Sequence, residues 1–583
     1  MPKRPRKLPR ERFLPTTSRQ ARSDHGWDEL DVVIVTGDAY VDHPSFGPVL
    51  VARALESRGY RVGVLAQPDW HGADDFRRLG RPRLFFGVSS GNMDSMICGY
   101  TSRRRRRSDD SYSPAGRAGL RPDRATILYT QRIREAWPGV PVVLGGIEAS
   151  LRRLAHYDYW SDSVRGSVLV DSGADILVYG MGEQAAITIA GRLESGEDLS
   201  TITDVPGTAV RLDRDQMTAY ESCPSREPGD GFAVVLPSVD EVRDSRESFS
   251  QMTRMIYEET NPHNARDLVQ RHGRSGVLVN APAPPLATAF LDELYALPFA
   301  RQPHPGYDDP VPAYDMVRDS ITIMRGCYGG CAFCALSLHQ GRIVQCRSAG
   351  SVLAEVEQIC LTPGFKGNIS DLGGPTANLY ATGCGPREKQ ETCRRTSCLH
   401  PRLCKHLVTD PGPLLDLMRA VREAPGVKRA FVNSGVRMDV ALKAPGYIEA
   451  LAAHHVGGQL SVAPEHAHPD VLKVMRKHPV EVYDRFAQRF AKASMKAGKK
   501  QYLVPYLMSG HPGCSLDEMR RARDWLQERN LRPRQVQEFV PAPMTLAASM
   551  YHTGHDPVSG RPVHVARSDD EKSEQKSLLL YWK

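Results

Sequence analysis

The chain has no apolar stretch near the roughly 18 residues that a membrane-spanning helix needs, so no helical span is expected. Its first twenty residues, MPKRPRKLPRERFLPTTSRQ, are basic and have none of the apolar core of a secretory signal. The expected location is therefore the cytoplasm, where thiols stay reduced. No G-x-G-x-x-G follows the first expected strand, which removes the usual case for a dinucleotide site. Charge excess is small as well. A formal +8 over 583 residues permits an anionic partner such as a nucleic acid without demanding one. The basic N-terminus and the arginine run 103–107 are the patches in question, and such runs are ordinarily solvated loops. Cysteine is what the chain does have: twelve in all, nine of them between Cys327 and Cys404. In a reducing compartment that density points to metal binding rather than to disulfides.

At 583 residues the chain is too long for one core and predicts two to four domains of about 100–200 residues. Its composition, 41% hydrophobic and 25% charged, is that of an ordinary globular protein. Residues 1–25 read as a disordered basic tail. Apolar runs at 31–40, 61–67, 83–90, 140–146 and 174–180 then alternate with helical stretches such as 48–57 and 125–136. That alternation predicts an α/β domain at 26–200, a doubly wound, Rossmann-like parallel sheet. Several of its strands end in Gly or Ser, which suits a ligand crevice at the carboxyl edge. Residues 201–315, with scattered apolar segments at 232–236 and 276–279 and the joint APAPP at 281–285, read as a connecting region. A second alternation fills 316–560, with strands at 428–439, 459–466, 501–513 and 535–545, and 561–583 reads as a C-terminal tail.

Within that second domain, ITIMRGCYGGCAFCALSLHQGR (321–342) places Cys327, Cys331 and Cys334 in a C-x3-C-x2-C loop directly after a buried-strand pattern. Structural zinc usually takes two cysteine pairs separated by a longer spacer. An iron–sulfur cubane takes one thiolate per iron, so three thiols leave one iron open for chemistry. A zinc knuckle or three inert buried cysteines are the plainer readings of the same spacing. A second set, Cys384, Cys393, Cys398 and Cys404, lies in the insertion 381–408, with gaps of eight, four and five residues. This segment is rich in Gly, Pro and Arg and too poor in apolar residues to build a core, so a metal is expected to hold it together. Four-cysteine zinc and an auxiliary iron–sulfur cluster both fit, with zinc slightly favoured because protein fills all four positions. Cys98, Cys223, Cys346, Cys360 and Cys514 show no pairing pattern.

The cysteine spacing, with Phe333 directly before the third cysteine, resembles the cluster motif of radical S-adenosylmethionine (SAM) enzymes. Over most of the chain the similarity extends to the YgiQ-type radical SAM proteins, a largely uncharacterised bacterial family. GDAYVDHPSFG (37–47), GNMDSMICGYT (91–101), RPDRA (121–125) and GGIEASLRR with HYDYW (145–160) carry it in the first domain. The resemblance implies a partial (β/α)6 barrel at 316–560 and a 4Fe-4S cluster on Cys327, Cys331 and Cys334. It also implies that SAM's methionine portion sits on the fourth iron and that an electron donor serves the cluster. Reduction would then cleave SAM to a 5'-deoxyadenosyl radical that acts on a substrate the sequence does not disclose.

Gly373 and Gly374 stand where the superfamily has a glycine motif contacting the SAM amino group, with Pro375 and Thr376 in place of its more familiar Glu. Glycine lets backbone approach a ligand closely. Phe333, Pro375, Ser434, Arg437, Glu465 and His466 are by the same resemblance expected near SAM or substrate. The first domain resembles cobalamin-binding domains. Their signature spaces Asp and His two apart, however, whereas Asp42 and His43 are adjacent and Gly47 follows four later, so cobalamin is not expected. Two other readings remain: a non-catalytic iron–sulfur or zinc protein with an RNA-binding role, and a radical SAM methylase or methylthio transferase acting on RNA.

Overall fold

Five short runs of β-branched and aromatic residues, buried on both faces, form the parallel half of a nine-stranded sheet. The structure is a computed structural model that describes residues 12–225 and 233–583. It divides into two units, one running up to Pro284 and including Glu293–Arg318, the other comprising Pro285–Asp292 and Asp319–Lys583.

In the first unit the strands lie in the spatial order Val234–Leu236, Leu268–His272, Ser275–Val279, Thr208–Leu212, Ile176–Val178, Val142–Gly145, Phe85–Ser89, Val32–Thr36 and Val62–Ala66. The last five are mutually parallel and match the expected runs. Gly47–Glu56 and Ala125–Ala136 supply two of the crossover helices. In chain order these five strands read 2-1-3-4-5, so the sheet reverses direction between Val32–Thr36 and Phe85–Ser89. A doubly wound sheet forms its crevice at such a point.

Two expectations about this unit are corrected. Residues 201–315 are not a connector, because four strands from within them extend the same sheet, three through antiparallel pairing and the outermost, Val234–Leu236, in parallel with Leu268–His272. Short strands, Val234–Leu236 being three residues long, obscure the alternation in the sequence; residues 226–232, which include part of the expected 232–236 run, lie outside the described residues. Nor does a disordered tail run to residue 25. Phe13 and Leu14 are buried, and Ser18–His25 is a helix whose N-terminus is capped by the Thr17 hydroxyl. Residues 1–11 of that tail lie outside the described residues.

The second unit is the partial (β/α)6 barrel. Ser320–Thr322 pairs in parallel with Asp371–Gly373, Asn368–Ile369 with Arg429–Ala430, Gln459–Glu465 with Tyr502–Ser509, and Tyr502–Ser509 with Gln537–Glu538. A single parallel bridge, Val436 to Val462, joins the third segment to the fourth. Ala349–Cys360, Gly412–Glu423, Glu481–Lys496 and Leu516–Glu528 are helices between them. The expected long strand at 428–439 is cut to Arg429–Ala430, since the Asp371 carboxylate takes the backbone N–H of Asn433 (2.7 Å) and of Ser434 (3.1 Å) in place of a neighbouring strand.

The C-terminal tail is likewise structured. Asp569–Leu579 is a helix packed on Leu516–Glu528. Its fully buried Gln575 accepts the Gly510 N–H (2.8 Å) and donates to the Cys514 carbonyl (2.9 Å), fixing the loop after Tyr502–Ser509. Gln575→Ala leaves both backbone groups without these partners, and the expected cost is about 1–3 kcal/mol in urea denaturation of the full chain.

Candidate active site

The cysteine loop leaves the barrel between two strands that pair with each other. Met324–Arg325 and Gln345–Cys346 run antiparallel and close its base. Inside it, Gly326 (φ 83°) and Gly330 (φ 63°) take left-handed turns, and a Cβ on Gly326 would lie 2.3 Å from the Ile343 carbonyl. The Ala332 N–H donates to Met475 (3.0 Å), while the Ala332 carbonyl accepts from Ala547 (2.9 Å), so the loop is braced from two sides. Phe333 packs edge-on to His511 at 5.8 Å between ring centres.

Cys327, Cys331 and Cys334 are free thiols that interact electrostatically with one another. Burial pushes the Cys334 thiol up to about 12, and it raises Cys327 against the opposing pull of Arg437 and Lys477. Two donors meet the sulfurs: the Gly329 N–H reaches Cys327 Sγ at 3.4 Å, and Arg437 Nη1 reaches Cys331 Sγ at 3.5 Å. Among the described residues no three Cys, His, Asp or Glu side chains converge closely enough for one metal ion. A cubane does not ask for that, because each of its irons takes a separate thiolate. Metal-binding thiols must also be deprotonated, and a cation and an N–H aimed at sulfur favour that form. The residues present fit a cluster.

Arg437 is buried and fixed from three sides. Asp439 grips it bidentately (2.8 and 3.2 Å), while the Asn378 amide accepts its backbone N–H (2.8 Å) and donates to its carbonyl (2.9 Å). Against burial, which acts in the opposite sense, Arg437 holds the Asp439 carboxyl well below the usual range. Lys477 pairs with Glu465 at 3.5 Å. Glu465 adopts φ 67° where the strand register slips, and non-glycine residues held in that region cluster at functional sites. Sequence reading found Arg437 and Glu465 but missed Asn378, Asp439 and Lys477. Of these, only the two-residue spacing of Arg437 and Asp439 was visible in the sequence.

The glycine pair lies beside this loop. A Cβ on Gly374 would come within 2.5 Å of the Met324 carbonyl, and one on Gly373 would overlap the Ser434 hydroxyl at 1.9 Å. The structure thus brings Gly373, Gly374 and Ser434 together, with the Gly374 N–H directed at Ser434 Oγ (3.4 Å) and Pro375 half-buried next in line. His466, next to Glu465 in the chain, is buried with its Nε2 3.4 Å from Cys514 Sγ.

The crevice of the first domain is filled by its own side chains. At the point where the sheet reverses, the buried Arg121 guanidinium pairs with Asp38 (2.9 Å) and Asp110 (3.1 Å) and donates to the Ser90 carbonyl. Of the residues in the cobalamin-like segment, Asp42 is ion-paired with Arg53, and His43 is buried and kept neutral by that burial and by Arg301. The arginine run is engaged locally too: Arg106 pairs with Asp123 (3.1 Å), and Arg104 lies over the Tyr159 ring.

The model of the Radical SAM N-terminal family matches residues 13–320, that of the Radical SAM superfamily residues 321–526, and a domain of unknown function (DUF3362) residues 534–583. Fold, cysteine loop and family models together define a radical SAM enzyme. The chain is 52% identical over 569 residues to a UPF0313 protein of Geobacter sulfurreducens, covering 98% of this chain and 92% of that one. It is 46% identical over 619 residues to the UPF0313 protein YgiQ of Escherichia coli K12, covering 98% and 84%. It belongs to the UPF0313, or YgiQ, family. A solved structure with a similar outline is the radical SAM methyltransferase TsrM from Kitasatospora setae with cobalamin and a 4Fe-4S cluster bound. That match, at 15% identity and TM-score 0.48 over 89% of this chain and 74% of the other, carries no inference about ligands. No helix among the described residues is long and apolar enough to cross a membrane.

Asp38 gives this geometry a pH signature. Burial, with Asp110 sharing the same guanidinium, raises its carboxyl from 3.8 to about 6 despite Arg121. Between those values the folded state holds a proton that the unfolded chain has released, so stability falls as pH rises through the window. Asp38→Asn should flatten that fall, seen by comparing urea midpoints near pH 4 and near pH 6 with those of the parent.

Proposed function

We propose that Cys327, Cys331 and Cys334 hold the 4Fe-4S cluster of this radical SAM enzyme, and that Gly373, Gly374, Pro375 and Ser434 receive the methionine end of SAM. The observation that supports this most directly is the pairing of thiols with donors: Gly329 N–H on Cys327 and the Arg437 guanidinium on Cys331, on a loop next to the glycine pair. When bound, the cluster supplies the electron that cleaves SAM. The chain's own residues hold and shield the reactants. The glycines let the backbone approach the SAM amino group, Phe333 packs the loop against the barrel wall, and the strained Glu465 with Lys477 borders the loop and offers a polar edge to SAM or substrate. The first domain works without His43 ligation of cobalamin, a reading supported by the burial of His43 and the Asp42–Arg53 pair. A one-electron donor protein is implied, and the substrate is left open because barrel-mouth residues alone do not specify it.

The test is anaerobic. Protein reconstituted with iron and sulfide, then given SAM and dithionite, is expected to yield 5'-deoxyadenosine, and Cys331→Ala is expected to abolish the product. A variant that makes product at the parent rate overturns the ligand assignment.

Arg437 generates a second expectation. A cation on a cluster thiolate favours the reduced, more negative state, and charge and hydrogen bonds at sulfur set cluster potentials. Arg437→Met should lower the reduction potential by on the order of tens of millivolts, read by spectroscopically monitored redox titration.

A further inference from the structure

The insertion is a closed loop with its own thiol set. Gly383–Cys384 pairs antiparallel with Leu407–Val408 and shuts its base. Within it the Cys404 N–H donates to the Cys398 carbonyl (2.8 Å) and the Leu407 N–H to the Cys404 carbonyl (3.1 Å). Cys384 interacts electrostatically with Cys404 and Cys393, and Cys398 does so with the same two, so the four half-buried thiols form one group. As at the first loop, an arginine meets sulfur: Arg342 Nη2 lies 3.8 Å from Cys393 Sγ and also acts on Cys398.

This loop is bonded directly onto the first one. The Cys398 N–H donates to the carbonyl of Tyr328, the residue after Cys327, at 3.0 Å, and the Ser397 hydroxyl donates to the Gly329 carbonyl at 2.7 Å. A Cβ on Gly330 would meet the Thr396 carbonyl at 2.6 Å, so the two loops are in backbone contact there. One hydrogen bond separates the chain at Cys327 from the chain at Cys398.

We infer that Cys384, Cys393, Cys398 and Cys404 hold a second iron–sulfur cluster, seated against the first, rather than zinc. Zinc would need all four sulfurs about 2.3 Å from a single point. Here the thiols act as one group, yet among the described residues no three converge on one ion. A cubane, taking one thiolate per iron, spans such a set. The contact between the loops also favours a redox centre. A structural zinc has no use for a neighbouring cluster, whereas a second cluster on a loop hydrogen-bonded to the first could exchange electrons with it. The inference rests on the proposed first cluster for its neighbour but is decided by the insertion's own iron.

The experiment compares three full-length proteins reconstituted anaerobically with iron and sulfide. They are the parent, the variant Cys327→Ala/Cys331→Ala/Cys334→Ala, and the variant Cys384→Ala/Cys393→Ala/Cys398→Ala/Cys404→Ala. Iron, acid-labile sulfide and zinc are counted per chain. The expected values are about eight irons in the parent and about four in each variant. The reduced parent should show a spectrum broadened by coupling between two spins, which each variant loses. The inference is overturned if the triple variant, folded by circular dichroism, holds no iron, or if it holds about one zinc instead. Should the triple variant keep all of the parent's iron, the first-cluster assignment falls and the insertion's cluster stands. The triple variant decides the matter even where the quadruple variant fails to fold.

Discussion

A buried guanidinium against a loop of thiols is the constraint on which this site depends. Arg437 is desolvated and must be paired, since an isolated buried charge is costly. Asp439 pairs it, and the Asn378 amide fixes its backbone on both sides. The charge that remains faces Cys331, and through Cys331 the other two sulfurs. At Cys327 that cation and the Gly329 N–H oppose the burial that raises the thiol, and burial raises Cys334 as well. Loop, glycine pair and arginine converge because consecutive parallel strands deliver their carboxyl ends to one region, so residues more than a hundred positions apart meet at a sulfur.

The first domain follows the same topological rule to a different result. Its sheet reverses where a ligand crevice is expected, but Asp38, Asp110 and Arg121 occupy that place. The glycine after Ser90 is required for this, because a Cβ on Gly91 would overlap the Asp38 carboxylate at 2.1 Å. A filled crevice suits a domain that presents its surface loops rather than a pocket at the sheet edge.

The sequence made local pattern legible and left long-range substitution hidden. Five parallel strands and their helices could be read because each is a short apolar run between turn residues, and the cysteine spacing marked the centre of the second domain. The strand at 428–439 was overestimated because nothing local shows that Asp371 takes the N–H groups of Asn433 and Ser434. Residues 201–315 read as a connector because their strands are short and three of the four join the sheet antiparallel, outside the parallel strand-and-helix alternation of the first five. The C-terminal helix was read as a tail because its anchor, Gln575, is a polar residue whose burial only the fold reveals. Arg437 was suspected by resemblance, but its contact with sulfur lies 106 positions away in the chain and was not visible.

The central claim is that the loop of Cys327, Cys331 and Cys334 leaves one iron open for SAM beside the glycine pair. Electron–nuclear double resonance on the reduced, cluster-loaded protein with SAM labelled by nitrogen-15 at its methionine amino group tests it most directly. The account predicts a nitrogen coupling to the cluster that Gly373→Val abolishes while the cluster spectrum survives. A fully assembled cluster on these cysteines that shows no coupling to SAM would contradict it.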